Sequence, residues 1–523
     1  MTSTHWFCKE NPLTEYLLYY GSIDEVAAAL AYNPLDGIDV SALSLVERNE
    51  LLVCDKQPLA PTILSLEVAM TIHGMVRGSL RMRNPLLASG RWQVDCAIED
   101  AQIGVNFSQL PPVPGSCLYL VKGITGLSKT VTLKRALTTL GKQVIIHPEM
   151  PEANWKGATQ LLYLYVGMAH DGSRGGLIGA ILAEIDRRLG TDHSLTLPRK
   201  YKTIEKQVQA VIALFHKYLL GVLVIDEIQW LNLTTSDQSS LMHLFLLSLV
   251  NSGIPTVLSG NPAGFAGLAA HTQTTSRAAE RKEAFFHPCG ALPGDDEWDM
   301  VARGVTDYYL LPRPAIDLDK SRLLLKTLSG GIARCALALW CNAQRSALFY
   351  GRGSIESADL QEAYDDHAFS GMRPICDGFS RRDPTLLWTW KRAEIPVSFY
   401  AEAWDRLDPS AAPAPAETKG TSGSAPNPSA TAGETQAKGA SAPSSTGVNA
   451  ANFDPEKQAR KERAKLKGQL TRQRKREAAQ AALASELEPG DMRLDGLKQH
   501  ALTGLNALMG SSGESPAEAD LKD

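Results

Sequence analysis

The stretch LYLVKGITGLSKTVTLKRAL, Leu118 to Leu137, decides how the rest of the chain is read. Five residues of strand-forming character run into Gly123-Ile124-Thr125-Gly126-Leu127-Ser128-Lys129-Thr130, and a helix-forming segment follows. The order strand, glycine-containing loop, Lys-Thr, helix is the Walker A pattern, G-x-x-x-x-G-K-[ST]. In that arrangement the backbone N–H groups of the loop face phosphate oxygens, and the helix N-terminus adds partial positive charge. Lys129 is expected to reach the β- and γ-phosphates of ATP, and Thr130 to ligate Mg²⁺. Ser128 stands where the pattern has its last glycine. Its Cβ and hydroxyl crowd the phosphate approach that glycine leaves open, so slow turnover is expected.

A second stretch, GVLVIDEIQWL from Gly221, lies roughly a hundred residues further on. An unbroken run of apolar β-formers is the signature of a buried parallel strand. Its acids fall at the strand's C-terminal end, where such sheets bind ligands. Asp226 is the expected Mg²⁺ residue and Glu227 the group that orients or deprotonates the attacking water. After one more helix comes GIPTVLSGNP, whose polar end suggests Asn261, or failing that Ser259, as a residue positioning water against the γ-phosphate. Ser329-Gly330-Gly331-Ile332-Ala333-Arg334 opens a helix that brings Arg334 as a nucleotide sensor. Arg277 and Arg281, one helical turn apart and so on one face, are candidate arginine fingers for a neighbouring subunit's site; a solvated helix face reads equally well for each.

Outward from these motifs the chain divides into five blocks. Residues 1–110 are mixed, mostly helical, and carry no motif. In 111–314 strands alternate with helices, which predicts a parallel sheet between helical layers. The expected strands are Leu118–Lys122, Gln160–Val166, Val222–Asp226 and Thr256–Ser259. The expected helices are Thr130–Leu140, Gly175–Leu189, Ile204–Leu219 and Gln238–Val250. Residues 315–407 read as a helical lid with a less regular continuation. Residues 408–453 are Ala, Pro, Ser, Thr and Gly, too poor in large apolar side chains to offset chain entropy, and read as a disordered linker. Residues 454–523 read as a basic helix, dense in Lys and Arg from Lys457 to Arg476, followed by an acidic tail. The fold class is therefore α/β: an AAA+ P-loop core with a small helical lid, a mostly helical N-terminal region and a basic extension.

The net charge of −4 spread over 523 residues argues against nucleic-acid binding by overall charge; any such footprint is local. Eight scattered cysteines include no CxxC pair, which argues against a disulfide framework or a structural zinc site. The polar N-terminus lacks an apolar signal region, and no apolar run is long enough to span a bilayer, so a cytoplasmic protein is expected.

Taken together, HDGSRGGLIGAILAEIDRRLGT from His170, LVIDEIQWL, Val257–Pro262 and the helix-rich PTILSLEVAMTIHGMVRGSLRMRNP resemble the TnsC/TniB family of transposon AAA+ regulators, over about Pro61 to Asp366. The resemblance implies an ATPase that assembles on double-stranded DNA without strong sequence preference, as an ATP-dependent oligomer or filament, and links a target-selector protein to the transposase. Candidate DNA contacts are Arg174, Arg199, Lys200 and Lys202, by phosphate attraction alone. The basic segment suits DNA backbone or an acidic partner surface equally, with a merely solubilising tail as the third reading. A helicase loader or replication initiator shares the same core, and a weakly hydrolysing nucleotide-gated scaffold is the reading that Ser128 favours.

Overall fold

The computed structural model describes residues 10–53, 58–91, 94–95, 118–229, 236–265, 283–292, 294, 297–388 and 395–406. All of these fall within a compact unit, Met1–Glu417; the second unit, Thr418–Asp523, lies outside them, as do Arg277, Arg281, the linker and the basic segment.

The helices α1 (Ile23–Leu30), α2 (Leu45–Val53) and α3 (Ile63–Met82) precede the core. Helix α3 begins at a reciprocal cap. Thr62 Oγ1 accepts from Ser65 N–H at 3.2 Å, and Ser65 Oγ accepts from Thr62 N–H at 2.7 Å. Its buried positions Val68, Ala69, Ile72, Met75, Val76 and Leu80 recur at helical spacing and form one apolar stripe.

The core then runs β1 (Leu118–Gly123), α4 (Lys129–Thr138), β2 (Val144–His147), β3 (Ala158–Leu161), β4 (Tyr163–Gly167), α5 (Arg174–Leu189), α6 (His193–Lys200), α7 (Ile204–Lys217), β5 (Val222–Asp226), α8 (Ser236–Asn251), β6 (Thr256–Gly260) and β7 (Ala284–Phe286). Five strands form one sheet in the order β4-β5-β6-β1-β7, with every neighbouring pair parallel. Alternate side chains leave opposite faces. Tyr119, Val121, Val222, Val224 and Val257 join a core shared with α3, α4 and the lid, whereas Leu118, Leu120, Leu223, Ile225 and Leu258 join one with α5, α7 and α8. The lid and its continuation contribute α9 (Trp298–Thr306), α10 (Leu318–Ser329), α11 (Ala333–Phe349), α12 (Ser357–Asp365), α13 (Arg373–Arg381), α14 (Pro384–Trp388) and α15 (Val397–Asp405). Among the described residues no helix is long and apolar enough to cross a membrane.

One expected strand divides. The segment Gln160–Val166 is not continuous: Leu161 ends an antiparallel pair with β2, and Tyr163 starts β4 of the main sheet. At the join, Leu162 N–H bonds Gln143 O at 2.7 Å. Both halves are buried, so the apolar run QLLYLYV carries no mark of the change.

Candidate nucleotide site

Because β6 lies between β1 and β5, the phosphate loop, the end of β6 and the Asp-Glu pair are brought to one rim of the sheet. The register pairs Lys122 with Gly260 and Gly167 with Asp226, so these strands end level.

The loop after β1 is pinned by Ile124 and Leu127, both buried in the main core. Between them Gly126 has φ 93°, a conformation that favours glycine, and its carbonyl accepts from Arg334 N–H at 3.0 Å. Ser128 also lies in the left-handed region, at φ 60°, although it carries a side chain; its hydroxyl caps nothing at the start of α4. Lys129 is buried, with its ammonium donating to the carbonyls of Gly123 at 2.7 Å and Ile124 at 2.8 Å.

Thr130 and Asp226 meet directly: Thr130 Oγ1 donates to Asp226 Oδ2 at 2.7 Å. The Tyr165 hydroxyl, from β4, donates to the same oxygen, and Glu227 N–H donates to Oδ1 at 2.9 Å. Burial pushes the Asp226 carboxyl up, but the hydroxyls of Tyr165, Ser259 and Thr130 and the Glu227 N–H outweigh it and hold the group below its usual value. Tyr165 is raised well above the usual phenol range, by burial first and by the Asp226 charge second. An ionised carboxylate against a threonine hydroxyl is a hard oxygen pair that fits Mg²⁺.

Glu227 is exposed and left-handed, at φ 61°. Its carboxylate accepts a hydrogen bond from Gln229 Nε2. Asn261 is buried just beyond β6, and its Nδ2 has no hydrogen-bond partner. Beside the loop a cavity of about 330 Å³ opens between the start of α3, Ser128, Phe286 of β7 and Arg334 of α11. Arg334 reaches it through the Ser329-Gly330-Gly331 turn: Gly331, at φ 76°, passes so close to Cys289 that a Cβ would lie 2.2 Å from its carbonyl oxygen.

The structure thus brings together Lys129, Thr130, Asp226, Glu227, Ser259, Asn261 and Arg334. Arg174 is half-buried and ion-paired to Glu205 at 3.3 Å, whereas Arg199, Lys200 and Lys202 are exposed at and after the end of α6. Sequence reasoning missed Tyr165 and Gln229. A second tyrosine in the strand Tyr163–Gly167 and a glutamine two residues after Glu227 are the available signals.

A parallel sheet with a phosphate loop after its β1, an acidic pair two strands away and a helical lid over the loop constitute the AAA+ P-loop fold. Residues 115–268 match the family model described as an AAA domain. No curated protein matches the chain. Among solved structures it is similar to Cdc6p from Pyrobaculum aerophilum, at 17% identity and TM-score 0.33, covering 53% of this chain and 66% of that one. It is also similar to Drosophila ORC bound to DNA, at 14% and 0.35, covering 70% and 80%. A third similarity is to the RuvB Holliday junction branch migration motor from Thermotoga maritima, at 13% and 0.30, covering 57% and 74%.

Proposed function

We propose that this chain binds and hydrolyses ATP at the rim formed by Gly123–Thr130, Asp226, Glu227 and Asn261. The observation that carries the reading is the direct meeting of Thr130 with an ionised Asp226, beside Lys129 and Glu227. The loop N–H groups and Lys129 bind the phosphates, with Lys129 leaving its own loop carbonyls for phosphate oxygens. Thr130 and Asp226 would hold Mg²⁺, which supplies charge neutralisation of the phosphate oxygens when bound. Glu227, exposed on the cleft, orients the attacking water and takes its proton. Asn261 offers its unpartnered Nδ2 to the γ-phosphate or the water, and Arg334 senses the nucleotide from the lid. The cavity between α3, Ser128 and Arg334 suits the nucleoside. Arg277 or Arg281 would complete a neighbour's site.

The test is Glu227→Gln. It removes the base and keeps the shape, so ATP affinity is expected to stay at the parental value while turnover falls by at least about 100-fold. A variant that turns over at the parental rate would remove Glu227 from the chemistry.

The client is read from sequence. DGSRGGL combined with VIDEIQ supports a TnsC/TniB-type regulator that assembles on double-stranded DNA with ATP and connects target selection to the transposase. Arg199, Lys200 and Lys202 are exposed cations suited to phosphate contacts. This reading requires ATP-dependent oligomers on duplexes of any sequence; DNA binding that is equal with and without nucleotide, and no oligomers, would leave an ATPase of another kind, such as a helicase loader or initiator.

A further inference from the structure

We propose that Gln229 is a positioning residue that couples Glu227 to the end of β6. The inference rests on the ATPase reading above and adds a residue to it. Gln229 spans the gap between the two strand ends with both halves of its amide. Its Nε2 donates to the Glu227 carboxylate, and its Oε1 accepts from Asn261 N–H at 3.3 Å. A side-chain amide donates from one end and accepts at the other, whereas a carboxylate has no proton to donate and a thioether gives neither bond.

The slot for this side chain is built by two glycines. A Cβ on Gly260 would lie 2.7 Å from Gln229 Oε1, and a Cβ on Gly264 would lie 2.7 Å from Gln229 Cα and N. Neither glycine has a left-handed φ. They are required by closeness to residue 229, not by their own backbone. The backbone of Glu227 is itself in the left-handed region, a sparsely populated conformation for a glutamate, so its side-chain direction depends on outside restraint. Gln229 is the restraint on that carboxylate. Because the same amide holds Asn261, a γ-phosphate engaging Asn261 acts on Glu227 through a single intervening side chain.

The experiment uses the full chain and follows ATP turnover, binding of a fluorescent ATP analogue and thermal melting. The parent and Glu227→Gln establish whether the ATPase reading holds. Gln229→Met keeps length and volume and removes both bonds; turnover is expected to fall about tenfold, with analogue affinity within about twofold and melting unchanged within about 2 °C. A parental rate in Gln229→Met, or losses of affinity and melting temperature as large as the loss of rate, overturns the inference while leaving the ATPase reading intact. A parent that does not hydrolyse ATP overturns both.

Discussion

The two ends of the central sheet bury polar groups in different ways. At the base, where β5 and β6 begin, buried Arg83 donates to Ser79 Oγ at 2.9 Å and to Leu220 O at 2.7 Å, and Ser79 Oγ donates to Gly253 O at 3.0 Å. These bonds tie α3 to the starts of the two strands and end on backbone carbonyls. At the rim, where the same strands finish, the polar side chains bond mostly to one another: Thr130 and Tyr165 to Asp226, and Gln229 to Glu227. Asn261 Nδ2 is left over, and a cavity opens alongside the loop. The base bonds hold a helix to two strands across the fold, whereas rim side chains that satisfy each other, and Lys129 on its loop carbonyls, can exchange for a ligand's oxygens. The base is built for stability and the rim for exchange.

Lys129→Ala breaks this comparison most severely if it is wrong. At the rim, the substitution removes the phosphate-facing cation and is expected to weaken ATP binding by more than about 100-fold. Stability should fall by only about 1–3 kcal/mol, since two buried loop carbonyls lose their donor. Isothermal titration and thermal melting read the two effects. Retained affinity with a collapsed melting temperature would make the rim structural, like the base.

The base is tested by pH. His216 is fully buried near Arg83, and burial first, then the guanidinium charge, holds its imidazole down at about 3. The folded state therefore keeps His216 neutral, while the unfolded chain protonates it below the ordinary value of 6.5. The unfolded state binds the extra proton between those values, so this contribution is fully present above about pH 6.5 and is lost as pH falls toward 3. At pH 5 the loss amounts to about 2 kcal/mol from this one group. His73, held at about 4 by burial, adds a similar slope. In His216→Leu the fall in denaturant midpoint between pH 7 and pH 5 should be smaller than in the parent. Equal falls in the two proteins would mean that the imidazole titrates normally in the fold.

Legibility in the sequence divides along the same line. The rim is built from short local patterns, and β1, β5 and β6 stand within a residue of where their sequences put them. The Walker A loop, the Asp-Glu pair and the Ser329–Arg334 turn announce themselves because each must sit at a chain reversal with a fixed residue type. Contacts made across the fold left no such mark. The α3 start that lines the cavity comes from a stretch without a motif, and Tyr165 reaches Asp226 only because β4 pairs with β5. β2 and β7, at four and three residues, are too short for periodicity to register. The base bonds are invisible for a related reason: Arg83 to Leu220 and Ser79 to Gly253 join residues far apart in sequence, and an arginine at the end of a helix reads as exposed until the fold buries it.

The smallest effect is expected at Ser128, which shares a left-handed backbone with Glu227 at the rim. Ser128 holds φ 60°, where a Cβ costs about 1–2 kcal/mol and glycine nothing comparable. The hydroxyl makes no capping bond that offsets this, so the conformation is imposed by the loop's need to turn into α4. Ser128→Gly removes the strain and restores conformational freedom to the unfolded chain, and these oppose each other, leaving a net gain of about 0.5–1 kcal/mol. In a unit of this size that raises the melting temperature by only about 1 °C. Turnover tells more than stability does. If phosphate oxygens approach the loop backbone as proposed, removing the Cβ of Ser128 should leave ATP affinity intact and raise the rate at saturating ATP. A faster glycine variant that is also slightly more stable would identify the serine as a brake set into the rim at the expense of local strain. A slower one would mean that the hydroxyl has been drawn into the chemistry, and the rim would then hold one more working side chain than its hydrogen bonds display.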